Sequence, residues 1–300
     1  MLRLFLVITW TIKLEEILAN VYEKPNSWAV DYPRHCAGLS QSPIDITDRD
    51  AKYQENMQNI NWSDLKIPTG TFRLKNDLYS IRVDVQESGA EFKLDGVDYK
   101  LDHYKFHWSE GSNTPGSEHY VNGKQYALEV HFYHFNPKYT SYDMSVGNPD
   151  GIVIVSFLFK QVASIKDTLV TSLLPAELNR LYEVNSLTQM YAYNIPEAVK
   201  RYTNLDEYVT YTGSLTEIPC TENVRRIVFT KPLHVTDNQM TEIRKVKRSD
   251  GWIMNYRPLQ SLNQRSVLKN FKGTVSACER ISVFYLLPVS MLILILSMQF

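Results

Sequence analysis

Aromatic residues at 104, 106 and 108 alternate with Lys105 and His107, and Glu129–His134 is equally rich in aromatic and β-branched side chains. Residues two apart in such runs share a face, so both runs read as strands. Val162, Ile165, Leu169 and Leu173 recur at helical spacing and predict a peripheral helix over 162–174. Residues 175–206 lack a sustained period and read as a connecting loop with short helices.

The two ends differ from the middle. Leu4–Ile12 is a short apolar run after Arg3, like the core of a signal peptide, although Lys13, Glu15 and Glu16 follow closely; cleavage is expected near Ala19. Ile281–Phe300 contains no charged residue, and about 20 apolar residues suffice to span a bilayer. No basic residue follows it. Small residues over 273–277, the polar Cys278-Glu279-Arg280 and the apolar tail resemble a GPI-attachment signal; a C-terminal transmembrane anchor is the alternative. The predicted organisation is a signal segment (1–19), one domain (20–265), a stalk (266–280) and a hydrophobic anchor signal (281–300).

Composition narrows the class. A hydrophobic content of 44% supports a sizeable core, and 19 tyrosines with 12 phenylalanines suit a β-rich chain. The net charge of −1 gives no electrostatic case for nucleic-acid binding. The cluster Arg244-Lys245-Val246-Lys247-Arg248 reads as a solvated loop.

His107 and His131 could converge from neighbouring strands on one metal, since neutral imidazole is the usual zinc ligand. A catalytic zinc takes three protein ligands and a water. The third ligand should lie two residues before His107, where the chain has Lys105, whose ammonium has no lone pair for a metal. His103 is four residues from His107, about 13 Å along a strand, and cannot substitute. His134 faces away from His131 and suits a structural role. The plain alternative is that His107 and His131 are hydrogen-bonded core histidines without tightly held zinc.

Eight blocks then carry a resemblance to the α-type carbonic anhydrases over roughly Tyr22 to Arg265. They are Gln41-Ser42-Pro43-Ile44-Asp45-Ile46, Phe106-His107-Trp108, Gly116-Ser117-Glu118-His119, Glu129-Val130-His131, Asn136-Pro137-Lys138-Tyr139, Pro149-Asp150-Gly151, Tyr211-Thr212-Gly213-Ser214-Leu215-Thr216 and Tyr256-Arg257-Pro258. The resemblance implies a mainly β fold (α+β by some schemes): a single domain with a large twisted, mostly antiparallel sheet and short peripheral helices. It also implies zinc held by His107, His131 and a third histidine where this chain has Lys105. Thr216 and Glu118 match the pair that orients zinc-bound hydroxide toward CO₂, and His119 and Tyr211 match the buried groups behind them. Tyr79 falls near the family's proton-shuttle position. His103, Tyr133, Ile154, Leu215, Glu217 and Arg226 fall on the substrate pocket. There Arg226 stands at a usual tryptophan, Glu217 where a small polar residue is common, and Tyr133 at a small apolar position.

In exported members of the family, cysteines at the places of Cys36 and Cys220 form a disulfide, so the resemblance implies that bridge and a secretory, cell-surface location. Asn61-Trp62-Ser63 is a glycosylation sequon whose weight depends on export. Two functions survive: a carbonic-anhydrase-related surface protein, catalytically silent and presenting a surface to an unknown extracellular ligand; or an active or weak enzyme using zinc to interconvert CO₂ and bicarbonate. The silent reading expects Lys105 to point between His107 and His131, to donate to both imidazoles and to approach Glu118 and Thr216, with burial depressing its pKa against a neighbouring carboxylate. Lys105→His is then expected to raise zinc affinity sharply.

Overall fold

The computed structural model describes residues 25–57, 60, 70–85, 91–203, 207–248 and 254–275. The signal run, the Asn61 sequon, Cys278 and the apolar tail lie outside the described residues. Among the described residues, no helix is long and apolar enough to cross a membrane.

Thirteen strands are assigned among these residues: β1 (Asp45–Ile46), β2 (Ala51–Tyr53), β3 (Thr71–Asn76), β4 (Ile81–Val85), β5 (Glu91–Leu94), β6 (Val97–Trp108) and β7 (Tyr120–Val121). They continue with β8 (Leu128–Phe135), β9 (Ile152–Val162), β10 (Leu187–Tyr191), β11 (Val209–Ser214), β12 (Glu222–Thr236) and β13 (Val267–Lys269). One sheet runs β10-β3-β4-β6-β8-β9-β12-β11-β13-β2, with β5 added on β6. Its pairings are antiparallel except β9–β12 and β13–β2. The helices are short and peripheral: α1 (Trp28–Asp31), α2 (Pro33–Cys36), α3 (Tyr142–Ser145), α4 (Leu169–Leu173), α5 (Ile195–Lys200) and α6 (Asp237–Arg244). The fold is the one expected from the sequence.

The period-2 alternation of the central strands sorts core from pocket. Tyr104, Phe106 and Trp108 of β6 and Val130 and Phe132 of β8 enter the main core with Phe72, Phe157 and Phe229. Lys105, His107, Glu129, His131 and Tyr133 take the opposite face. There Tyr133 joins a small cluster with Ile152, Ile154, Leu215 and Val224. β4 and β9 flank β6 and β8 in the sheet, so neither is an edge strand, and the polar residues Lys105, His107, Glu129 and His131 on the pocket face are buried as well.

Four sequence expectations change. No helix spans 162–174; β9 extends through Val162, paired with Thr236 of β12, and only Leu169–Leu173 is helical. The long sheet pairing outweighs the helical spacing, and Ile165 is left 47% exposed. The supposed loop 175–206 contributes β10, an edge strand on β3. The domain also continues past 265, since β13 pairs with β11 and Val275 is buried, so the predicted stalk belongs partly to the sheet. The basic cluster is not wholly solvated either. Arg248 is buried over the Trp108 ring, 5.0 Å from its centroid, and bonded to the Trp108 carbonyl, while Arg244 donates to the Ser109 carbonyl.

Candidate metal centre and the pocket around it

The β6–β8 register sets Lys105 directly across from His131 and His107 across from Glu129. The two imidazoles meet with ring centroids 4.4 Å apart. The convergence predicted from strand alternation is therefore present.

Each ring is oriented by a second group. His107 Nδ1 donates to the backbone carbonyl of Asn255 at 2.9 Å. A carbonyl only accepts, so Nε2 of the neutral ring carries the lone pair; it is buried and has no hydrogen-bond partner among the described residues. His131 Nε2 donates to Glu129 Oε1 at 2.6 Å, which leaves its lone pair on Nδ1. Glu129 also accepts from the backbone N–H and the Nδ1 of His119. Burial alone would raise the Glu129 pKa, but the two imidazoles at its oxygens hold it well below the ordinary range. Burial in turn keeps His131 neutral by pushing its pKa well down. The chain continues outward: Tyr211 donates its hydroxyl to His119 Nε2 at 2.7 Å and lies 2.9 Å from the Ser42 hydroxyl. Burial raises the Tyr211 pKa to about 12, so it stays a donor. His119 and Tyr211 are thus joined to His131 through Glu129.

Thr216 and Glu118 are also brought to the pocket, but without the bond between them that the resemblance implies. Glu118 Oε1 accepts the backbone N–H of Arg257 at 2.9 Å. Its Oε2 and the Thr216 hydroxyl are buried with no hydrogen-bond partner among the described residues. Glu118 Oε2 lies 3.7 Å from His131 Nδ1. A donor atom from each of His107, Glu118 and His131 falls within 4.8 Å of the others.

Lys105 departs from expectation. Its ammonium does not donate to either imidazole. It binds Glu217 Oε2 at 2.6 Å and lies 3.4 Å from Asp77 Oδ2. Burial would lower its pKa, yet these two carboxylates outweigh burial and raise it above the ordinary lysine value. Glu217 responds in kind: burial would raise its pKa, but Lys105 brings it to about 2. The nearest cation to His131 is instead Arg226, wholly buried, with Nη2 3.4 Å from His131 Nδ1 and 3.2 Å from Nε2.

The remaining pocket is narrow. Tyr133 stacks on His103 at 4.3 Å between centroids, and Tyr142 meets both rings edge-on. His103 donates from Nδ1 to Asp102 at 2.6 Å. Ile154 and Leu215 complete the apolar wall. Tyr79, Lys105, His107, Thr216 and Glu217 line a cavity of about 30 Å³, room for one or two waters. Sequence reasoning missed Asp77 and Asn255. Asn255 also accepts the Trp108 N–H and donates to the Tyr79 and Phe106 carbonyls, and only its position next to Tyr256-Arg257 hints at it.

Cys36 and Cys220 are bonded, with Cα atoms 5.1 Å apart, inside the 4.4–6.8 Å range such a bridge requires. The bridge ties α2 to the loop bearing Thr216 and Glu217.

Comparison with known proteins agrees with this geometry. A eukaryotic-type carbonic anhydrase family profile matches residues 23–271. The chain is 30% identical to carbonic anhydrase 6 of Canis lupus familiaris over 253 residues, covering 81% of this chain and 76% of that protein. It is 29% identical to carbonic anhydrase 6 of Homo sapiens over 248 residues (81% and 79%). It is likewise 30% identical to the carbonic anhydrase-related protein of Rattus norvegicus over 251 residues (78% and 84%). Carbonic anhydrases depend in general on zinc and act on CO₂ and bicarbonate. With the ordered blocks, the sheet and the His107–His131 convergence in place, this chain belongs to the eukaryotic-type carbonic anhydrase family.

Proposed function

We propose that this chain is a carbonic-anhydrase-related protein of the cell surface in which zinc-dependent CO₂ hydration is absent or severely impaired. The observation that carries the reading is Lys105. At the family's third ligand position it offers an ammonium held by Glu217 and Asp77 in place of an imidazole lone pair. Two oriented nitrogens remain, from His107 and His131, with the Glu118 carboxylate as the third donor atom beside them. The donor set does not fit the three-histidine site of the family. Zinc would supply a hydroxide near neutral pH; the groups present instead stabilise one another. The Tyr133–His103 stack and the Lys105–Glu217 pair further fill the space a small substrate would need.

The silent domain would present its surface to an extracellular ligand. Export rests on the apolar run at 4–12 and on the Cys36–Cys220 bridge, which forms in oxidising compartments. Membrane attachment rests on the charge-free tail at 281–300. A second reading, a weakly active zinc enzyme, is favoured by the unpartnered His107 Nε2 and Glu118 Oε2, which a cation would satisfy.

Zinc content and CO₂ hydration of the wild-type protein, purified without chelators, separate the two. The silent reading expects far less than one zinc per chain and no hydration above background. Near-stoichiometric zinc with robust turnover would show it to be wrong.

A further inference from the structure

Arg226 lies on β12, in register with Ile154 on one side and Tyr211 on the other, so its side chain emerges on the pocket face of the central strands. It is 0% exposed. Nη1 donates to the Ser214 carbonyl at 3.4 Å, and Nε has no hydrogen-bond partner among the described residues. Nη2 sits 3.4 and 3.2 Å from the two nitrogens of His131. Near-equal distances place it against the imidazole itself, beside the lone pair that zinc would need. A guanidinium is a fixed cation. Facing it across His131 is Glu118, whose Oε2 is 3.7 Å from Nδ1, and behind His131 is Glu129. The guanidinium therefore already offsets one of the two carboxylate charges around His131.

We propose that Arg226 is a second, independent determinant of metal exclusion: its guanidinium holds the electrostatic place of the metal against His131, so that the pocket rejects divalent cations even when a third histidine is supplied. The proposal rests on the metal-poor reading above and adds to it. It changes what Lys105→His should do. That substitution completes the ligand set, yet it leaves a positive charge within a few ångströms of the position an added dication must take, in a medium of reduced dielectric.

Arg226→Met keeps an unbranched chain of similar reach but leaves the buried carboxylates at His131 short of a cation, so it should cost stability in the metal-free protein, a cost that bound zinc would recover. The test uses four folded proteins: wild type, Lys105→His, Lys105→His/Arg226→Met and Lys105→His/Arg226→Lys. Zinc per chain is measured by elemental analysis, and Kd by competition with a chromophoric chelator. The proposal expects Lys105→His to stay poorly loaded and the methionine double variant to bind about 100-fold more tightly or better. The lysine double variant, which keeps the charge, should stay near the single variant. Should the methionine variant fail to fold, Lys105→His/Arg226→Gln takes its place. Full loading of Lys105→His alone, no gain in the neutral doubles, or equal gain with lysine and methionine would each overturn the proposal. Near-stoichiometric zinc in the wild type would instead sink the functional reading beneath it.

Discussion

Lys105 and Glu217 are 112 residues apart in sequence and 2.6 Å apart in space, and the pair makes the pocket sensitive to acid. Glu217 titrates at about 2 rather than 4.5, so protonation favours the unfolded chain. Its contribution is complete above pH ~5 and fades as the pH falls toward ~2, for a total of about 3 kcal/mol. Glu217→Gln should lose about 2–3 kcal/mol at pH 7, since Asp77 still partners the lysine, and the gap from wild type should shrink at pH 3. Urea unfolding at both pH values measures it; a gap independent of pH would contradict the assigned cause. Replacing both partners, Lys105→Met with Glu217→Met, should cost less than Glu217→Gln alone, because the one charge then left without its cation is Asp77, which still accepts the Tyr79 and Ser80 amides. Melting of the three proteins at neutral pH gives the order directly.

The loop from Leu215 to Cys220 carries Thr216 and Glu217, and two ties hold it to the N-terminal helices. One is the disulfide, and the other is Gln41, whose side chain donates to both the Cys220 and the His35 carbonyls. The bridge closes a long loop, so Cys36→Ser/Cys220→Ser should lower stability by about 2–5 kcal/mol. Denaturant unfolding with and without reductant tests this, and the double variant should be insensitive to reductant. Elements differ in how far the sequence announced them. β6 and β8 were legible because alternation separates Tyr104, Phe106 and Trp108 from Lys105 and His107 within one run. β9 was misread at its end, because Phe159–Val162 are held extended by Leu233–Thr236 more than seventy residues on, a pairing that local periodicity does not encode. The same distance hid the site's central contact. Strand alternation placed Lys105 on the pocket face, but nothing near it in sequence says that Glu217 and Asp77 would claim its ammonium, or that Arg226 would reach His131.

At the scale of the whole molecule, the folded domain is built on one large sheet, beside which β1 and β7 form a small second one, with a processed segment expected at each end. Phosphatidylinositol-specific phospholipase should release the mature protein from cells, and peptides from 281–300 should be missing from its mass spectrum. Retention on the cell together with recovery of that peptide would make a transmembrane tail the better account. One consequence for motion follows from the placement of β6 and β8 inside the sheet. Each has a paired neighbour on either side, β6 between β4 and β8 and β8 between β6 and β9, so no small opening exposes them. Amide hydrogens at Lys105, His107 and His131 should therefore exchange with deuterium only when the entire domain unfolds, at the same slow rate with zinc added or chelator present. The order of this pocket comes from the sheet that carries it, and the sites where time-dependent change can begin lie elsewhere, toward edge strands such as β10.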